Sequence, residues 1–577
     1  MNRRLNLEEW NERDHQPTYP SSSEGSLREW RVENFKALEY ASVAFPALTV
    51  LTGPNSSGKS SYVQSLLLFA QSPPGPTVLN GDLAVLGDAS SVISEGEDQV
   101  TFGMSLVNPD EGQGNEAPHF EYQISFSSSL SGSLVPTEVH LASGETHVLS
   151  AETKVGPRAS KDPTKAKGRA QGPFALTVTE AWDESSESTV EILISGFYPE
   201  SLVLREDSKT LRKRLSNYFD AAAVAGDPVK AAQLVAEVRN LAKPDDANAD
   251  DHAIYMSILE AGSPAAVIQK LADTDALPRV LQNISTSEPR LKERVFPIGS
   301  GKSFSYWGWP ANQSPYADLG LLADVLTSLN ESLRGSAEQI LYLGPLRSDP
   351  DELSRTGPTS PHAPVGTSGE LTARVLNDDS QTPIWYNDWD DTRHLGTLSE
   401  AVAKWVDYLK IGEGVETDSY GRYGHGALIK VGGQSRDLSS VGVGASQLLP
   451  VLVLVLTAPP RSIVLIEQPE LHLHPSVQHR LADLFLYARP DVNFVIETHS
   501  EYLVTRIRRR LVEGKTQPKD VAVYFAKKVE GYGELSPLTL STTGDFDEWP
   551  TGFFDTQDIE VLGLVRALRK QWDIGDM

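Results

Sequence analysis

An α/β fold is predicted by three stretches of this 577-residue sequence, each an apolar run that leads into polar chemistry. Leu48–Leu51 runs into a glycine-rich loop, Gly53–Ser60, and then into an amphipathic helix reaching about Gln71. Ser462–Ile466 is an apolar strand closed by Glu467-Gln468-Pro469-Glu470. Asn493–Glu497 is a third, followed by Thr498, His499 and Ser500 and a helix over 501–511. Short apolar strands alternating with helices describe an α/β layer architecture.

The first stretch carries the most specific signal. Gly53, Gly58, Lys59 and Ser60 match G-x-x-x-x-G-K-[ST], in the strand–loop–helix setting that pattern requires. Its glycines let backbone N–H groups face inward around phosphate oxygens, and the helix N-terminus adds partial positive charge. Lys59 is expected on the terminal phosphates and the Ser60 hydroxyl on Mg²⁺, with Asn55, Ser56, Ser57 and Ser61 completing the cradle. The chain is therefore expected to bind a nucleoside triphosphate with Mg²⁺. A second GSGKS at 299–303 is read as a decoy: Phe296 replaces the first glycine, and Tyr306–Pro310 does not continue as a helix.

Composition narrows the class. Hydrophobic residues make up 39% and charged residues 22%, as in an ordinary globular protein. The apolar run at 450–457 is too short to span a bilayer, and the polar N-terminus resembles neither a signal nor a transit peptide, so a cytoplasmic protein without a membrane partner is expected. The absence of cysteine excludes disulfides, cysteine-ligated metals and thiol nucleophiles. Seventy-eight acidic residues against 51 basic ones leave a net charge of −27, which disfavours nucleic acid as a partner of the surface as a whole. Two local exceptions stand out: the basic loop at 154–169 and Arg506–Arg510, read as a solvated loop and an exposed helix face, or otherwise as a basic groove.

In chain order, residues 1–27 read as a polar tail and 28–105 as an N-terminal lobe holding a hairpin, the glycine-rich loop and its helix. Residues 106–330 read as an insertion, β-rich from about Val100 to Leu204 and helical over 208–283. A helix at Ala317–Leu333 leads into 331–530, a C-terminal lobe with the apolar run Ile340–Leu343, a helix at Ser399–Leu409 and a strand at Ala427–Val431. Residues 531–577 form a small segment with no assigned role.

The order ENFKAL, GPNSSGKSS, LSSVGVGASQLLP, SIVLIEQPELHLHP, VIETHS resembles the ABC-type ATPase heads of the RecF/SMC and OLD class. That resemblance implies an ABC-type P-loop head, a mixed sheet with an antiparallel β subdomain, carrying a β-then-helical insertion. It implies that Ser439–Gln447 is the signature segment, with Gly442, Gly444 and Ser446 contacting a partner subunit's nucleotide. Ser439 is the alternative signature serine; Ser446 is preferred because it opens the apolar helix. Leu471–Pro475 resembles the D-loop and His499 the switch histidine, so two heads would sandwich two nucleotides in a homodimer or higher oligomer. Gln71 is a weaker match to a Mg²⁺-contacting glutamine. The E-Q-P-E-L-H-L-H-P run, Gly344-Pro345-Leu346-Arg347 and 544–556 are similar to antiphage-defence ATPases of the PtuA (Septu) kind, which act beside a separate HNH-type nuclease.

One departure matters chemically. Glu467 takes the metal-side acid position and Gln468 the position of the acid that activates water; an amide orients water but accepts no proton. Slow hydrolysis is the expectation, or Glu470 in the role of base, which makes Glu467, Gln468, Glu470 and His499 the catalytic candidates and Ser60 and Glu467 the Mg²⁺ ligands. His472 and His474 with Glu470 admit a separate metal site, but His-Leu-His after the acid strand more simply fits a subunit-interface loop. The function expected is a regulatory or sensor ATPase controlling a separate effector such as a nuclease. Its rivals are a DNA-maintenance ATPase of the RecF/SMC type, an OLD-like nuclease using Asp545 and Asp547, and a transporter's nucleotide-binding subunit.

Overall fold

The computed structural model describes residues 27–107, 119–153, 173–181, 189–206, 292–298, 305–306, 309–310, 317–348, 360–420, 424–529, 531–547, 550 and 564. The tail before Leu27, the basic loop 154–169, the helical pattern of 208–283 and the GSGKS at 299–303 lie outside the described residues. The chain divides into two compact units: Met1–Pro73, Val78–Val107 and Gly335–Met577 form one, Pro74–Thr77 and Asn108–Arg334 the other.

The first unit opens with the hairpin β1 (Leu27–Phe35) and β2 (Leu38–Ala44), turned by Lys36 in the left-handed region at φ 53°. Strand β3 (Leu48–Thr52) is buried along its whole length and runs into the glycine-rich loop; helix α1 (Lys59–Ala70) follows. Trp30 of β1, fully buried, anchors that helix: its indole N–H donates to the Ser65 hydroxyl at 2.9 Å, and Tyr62 returns a bond to the Trp30 carbonyl. Strand β4 (Gln99–Val107) pairs with β1. Gln71 does not face the phosphate loop's chemistry. Its amide bonds Val78 and Ala84, closing the loop after α1, which corrects its reading as a Mg²⁺-contacting residue.

The second unit, taken by itself, contains an antiparallel run of β5 (His119–Ser128), β6 (Leu134–Ser143), β7 (Thr146–Glu152), β8 (Phe174–Ala181), β9 (Thr189–Ser195), β10 (Tyr198–Glu206) and β11 (Lys292–Pro297). Alternating burial along β5 marks a sheet with one covered face, where Phe126 meets Phe197 edge-on and Tyr122 donates to the Phe197 carbonyl.

Helix α2 (Ala317–Glu338) carries the chain back to β12 (Ile340–Leu343). There follow α3 (Thr372–Asp378), the hairpin β13 (Pro383–Asn387) and β14 (Arg393–Thr397), and α4 (Leu398–Leu409), whose start is locked by a reciprocal Thr397–Glu400 capping box. A small antiparallel sheet, β15 (Gly414–Ser419), β16 (His425–Val431) and β17 (Gln434–Asp437), precedes α5 (Val443–Thr457). Helix α5 holds the 450–457 run and is buried on every side from Ala445 to Leu456, in one core with Trp405 and Leu481. The last elements are β18 (Ile463–Glu467), α6 (Pro475–Tyr487), β19 (Asn493–Glu497), α7 (Glu501–Val512), β20 (Val521–Val529) and β21 (Tyr532–Leu538).

The central sheet of this unit runs β4-β1-β2-β21-β20-β3-β19-β18-β12. From β20 to β12 every pairing is parallel; β1, β2 and β4 add antiparallel strands, so the sheet is mixed. The strand carrying the phosphate loop thus lies between β20 and β19, with the acid strand β18 next to β19. The start of the segment 531–577 enters this sheet directly: Tyr532–Leu538 pairs with Val521–Val529 on one side and with β2 on the other.

Candidate functional site

The loop from Gly53 to Ser60 is shaped by backbone geometry that only small residues tolerate. Gly53 sits at φ 134°, and a Cβ there would lie 2.4 Å from the Ala526 carbonyl oxygen of β20. Gly58, at φ 103°, is pressed against Leu38 of β2. Asn55 and Ser56 are exposed at the loop's tip, Ser61 is half-buried, and the buried Ser57 donates to the Pro54 carbonyl at 2.8 Å. Lys59, the first residue of α1, is buried and bends back onto the carbonyls of Gly53 and Pro54 at 3.1 and 2.8 Å. Burial lowers the Lys59 ammonium's pKa, against the opposing pull of Glu497.

Glu497, given no role by sequence reasoning, stands at the centre of this site. The Ser60 hydroxyl lies 3.1 and 3.3 Å from its two carboxylate oxygens. Parallel register sets Glu467 and Glu497 side by side at the ends of β18 and β19. Burial, and then the Glu467 charge, push the Glu497 carboxyl up to about 8. The Tyr342 hydroxyl of β12 donates to Glu467 at 2.6 Å. A repeated pattern could have revealed the pair, since IVLIE and NFVIE are both four-residue runs closed by glutamate. The donor set of Ser60, Glu467 and Glu497 is all hard oxygen, which fits Mg²⁺.

Beyond Glu467 the chain turns sharply. Gln468 sits at φ 46°, and its N–H donates to the Glu497 carbonyl at 2.7 Å. Glu470 is buried and accepts the His499 N–H on one oxygen at 2.6 Å. Burial raises the Glu470 carboxyl's pKa. Burial, and then the Lys59 charge, lower the His499 imidazole's. Arg347 is buried as well: it donates to the carbonyls of Pro345 and Gln468. The sequence-predicted catalytic residues Glu467, Gln468, Glu470 and His499 therefore gather around two adjacent strand ends.

The signature segment is placed less simply. A single helical turn at Leu438–Ser440 precedes α5, which Gly442 caps. Ser446 is the fourth residue of α5, buried, and donates its hydroxyl to the Val443 carbonyl at 2.8 Å, whereas Ser439 is exposed ahead of the helix. Gly444 lies against the backbone of His472, so the signature helix abuts Leu471–Pro475. His472 adopts φ 60° and His474 caps α6 by bonding Ser476. Among the described residues no group of three or more His, Asp or Glu side chains is arranged to hold a metal ion.

Two expectations are corrected by ion pairing. The Arg506–Arg510 cluster is neither a free solvated face nor a basic groove: Arg506 and Arg510 clamp the fully buried Asp483, each at 2.7 Å, while Arg509 pairs with Glu513 and Arg508 with Asp545. Asp547 accepts the Thr539 N–H, so Asp545 and Asp547 both have protein partners.

Residues 416–505 match a family model described as "AAA domain, putative AbiEii toxin, Type IV TA system", and 517–564 match "Protein of unknown function (DUF3696)". No curated protein matches the chain. Among solved structures, the chain is similar to an Smc head domain from Pyrococcus furiosus bound to the C-terminal domain of ScpA, at 11% identity, over 94% of this chain and 100% of that one, with a TM-score of 0.33. An SMC head domain from Thermotoga maritima gives 9% identity over 89% and 98% of the two chains, with a TM-score of 0.32. An Smc head domain from Pyrococcus yayanosii gives 10% over 90% and 98%, with a TM-score of 0.33. Likeness at this level carries no functional weight. The fold itself, a mixed α/β P-loop ATPase head, rests on the strand order and phosphate loop described above. Among the described residues, no helix is long and apolar enough to cross a membrane.

Proposed function

We propose that this chain is a regulatory ATPase that binds ATP with Mg²⁺, hydrolyses it slowly, and uses nucleotide state to control a separate effector protein, such as an HNH-type nuclease in antiphage defence. The single observation that carries slow turnover is Gln468: an amide follows the metal-side acid, held in a left-handed turn by the Glu497 carbonyl. Nucleotide binding is supported by Gly53, Asn55, Ser56, Ser57, Gly58, Lys59, Ser60 and Ser61 on their strand–loop–helix frame and by the AAA-domain match. Ser60, Glu467 and Glu497 would hold Mg²⁺, which when bound neutralises charge on the terminal phosphates. Assembly as an ATP-sandwich dimer or higher oligomer is supported by the exposed Ser439 and Gly442 at the mouth of α5.

A DNA-maintenance role gains no support from Arg506–Arg510, whose charges are spent on Asp483, Glu513 and Asp545. The OLD-like nuclease reading gains no support from Asp545, whose carboxylate pairs with Arg508 at 3.0 Å.

The test is purification of the tagged full chain from its native host with ATP and Mg²⁺, beside Lys59→Ala. A stoichiometric effector retained only by the wild type supports the proposal. A clean homodimer that binds duplex DNA with a steep salt dependence refutes it.

A further inference from the structure

Tyr342 to Arg347 grips the acid turn at two points. The Tyr342 hydroxyl holds Glu467, and the Arg347 Nη1 donates to the Gln468 carbonyl at 2.9 Å. Between them Gly344 is packed so closely that a Cβ would lie 3.1 Å from both the Thr367 carbonyl and the Tyr342 hydroxyl. Arg347 is 7% exposed, yet its Nε and Nη2 are buried without any hydrogen-bond partner. Glu470, 8% exposed, likewise has a buried Oε2 with no partner. The two charges act on each other, but no ion pair joins them. Burying a guanidinium with two idle donors beside a carboxylate with an idle oxygen is costly, and a fold specifying both invites a state in which they are used. Glu470 also reaches the nucleotide side of the turn, through its bond to the N–H of His499, whose ring feels the Lys59 charge.

We propose that Arg347 is a positioning residue for ATP hydrolysis, orienting Glu470 as the base that the neutral Gln468 cannot be. This rests on the ATPase reading above. In the step, the oxygen of a water attacks the γ-phosphorus while the bond from that phosphorus to the bridging oxygen of ADP breaks. The proton lost by the water passes to Glu470 Oε2, and the Arg347 fork holds that carboxylate ionised and aimed.

The experiment measures steady-state hydrolysis by the full chain with Mg²⁺, alongside thermal melts and binding of a fluorescent ATP analogue. The variants are Glu470→Gln, Arg347→Ala, Arg347→Gln, Arg347→Lys and Arg347→Ala with Glu470→Gln; Lys59→Ala is the control. Glu470→Gln is expected to lower kcat about 100-fold or more. Arg347→Ala or Arg347→Gln should lower kcat by about 10-fold or more with KM nearly unchanged, as for an interaction made only in the transition state. The double variant should be no slower than Glu470→Gln alone. Added guanidinium should restore part of the Arg347→Ala rate, and Arg347→Lys, which lacks the fork, should stay slow. Losses that multiply, a raised KM with kcat intact, or wild-type turnover in Glu470→Gln would overturn the proposal. Should wild type and Lys59→Ala hydrolyse ATP equally, the ATPase reading itself fails.

Discussion

Glu467 and Glu497 end adjacent parallel strands at paired positions, with the Glu497 carboxylate beside the Ser60 hydroxyl. Two buried carboxylates this close repel each other when both are ionised, and a divalent cation is the partner that relieves both. Replacing Glu497 by Gln is therefore expected to weaken Mg²⁺ binding by about 10- to 100-fold, on the scale of losses at supporting groups of metal sites. Titration of Mg²⁺ into the nucleotide-bound protein measures this; unchanged affinity would remove Glu497 from the site.

Gly53→Ala should cost about 1–3 kcal/mol, the scale of backbone strain at such a position. Its φ of 134° is unfavourable for alanine, and the new Cβ would collide with the Ala526 carbonyl. Thermal melts should show the loss even without nucleotide, and ATP-analogue binding should fall with it. Full stability would mean that the loop relaxes freely.

Asp483 is fully buried between Arg506, Arg510 and Tyr408. Burial pushes its carboxyl up, but the hydrogen bonds from Arg510, Arg506 and Tyr408 outweigh that and hold it below its ordinary value of 3.8. Asp483→Asn removes the counter-charge of Arg506 and leaves Arg510 only Glu513, and should destabilise the fold by about 3–5 kcal/mol. Because the folded-state pKa is the lower one, this stabilisation is fully present above the unfolded value and fades as pH falls through the folded one. Denaturant melts should show a wild-type advantage that is constant from neutral pH to about pH 5 and narrows below pH 4. An advantage flat to the lowest pH would contradict the assignment.

Truncation before Tyr532 should unfold the head rather than trim a tail. Strand Tyr532–Leu538 lies between β2 and β20, and Gly533 packs so tightly on the phosphate loop that a Cβ would lie 2.5 Å from the Ser57 carbonyl oxygen. Hydrogen exchange across Leu48–Thr52 is the readout: protection kept in the truncated chain would show that the strand is dispensable.

The nucleotide-binding half of the site was legible because its chemistry is local. Gly53, Gly58, Lys59 and Ser60 act through one short loop, and residue type with spacing is enough to recognise it. Glu467 was legible as an acid closing an apolar strand, and the helix over 399–409 from its amphipathic pattern. Glu497 went unread because its role depends on which strand lies beside which, and parallel neighbours leave no mark of their order in the chain. Where Ser446 falls was legible only to within a helical turn: α5 starts at Val443, and the Ser446 hydroxyl bonds the Val443 carbonyl. The arginines at 506–510 read as a basic run, since sequence shows like charges together but not the buried Asp483 and the Asp545 that neutralise them.

What the sequence determined by itself is the existence of a phosphate loop, an acid strand and a histidine-bearing strand, each encoded within a dozen or so consecutive residues. Folding alone places Tyr532–Leu538 in the head's own sheet, brings Glu497 to Ser60 across 437 positions, and buries Arg347 against the acid turn. Those relations are contacts between segments far apart in the chain, chosen by strand order and by the burial of apolar faces, and no local pattern specifies them.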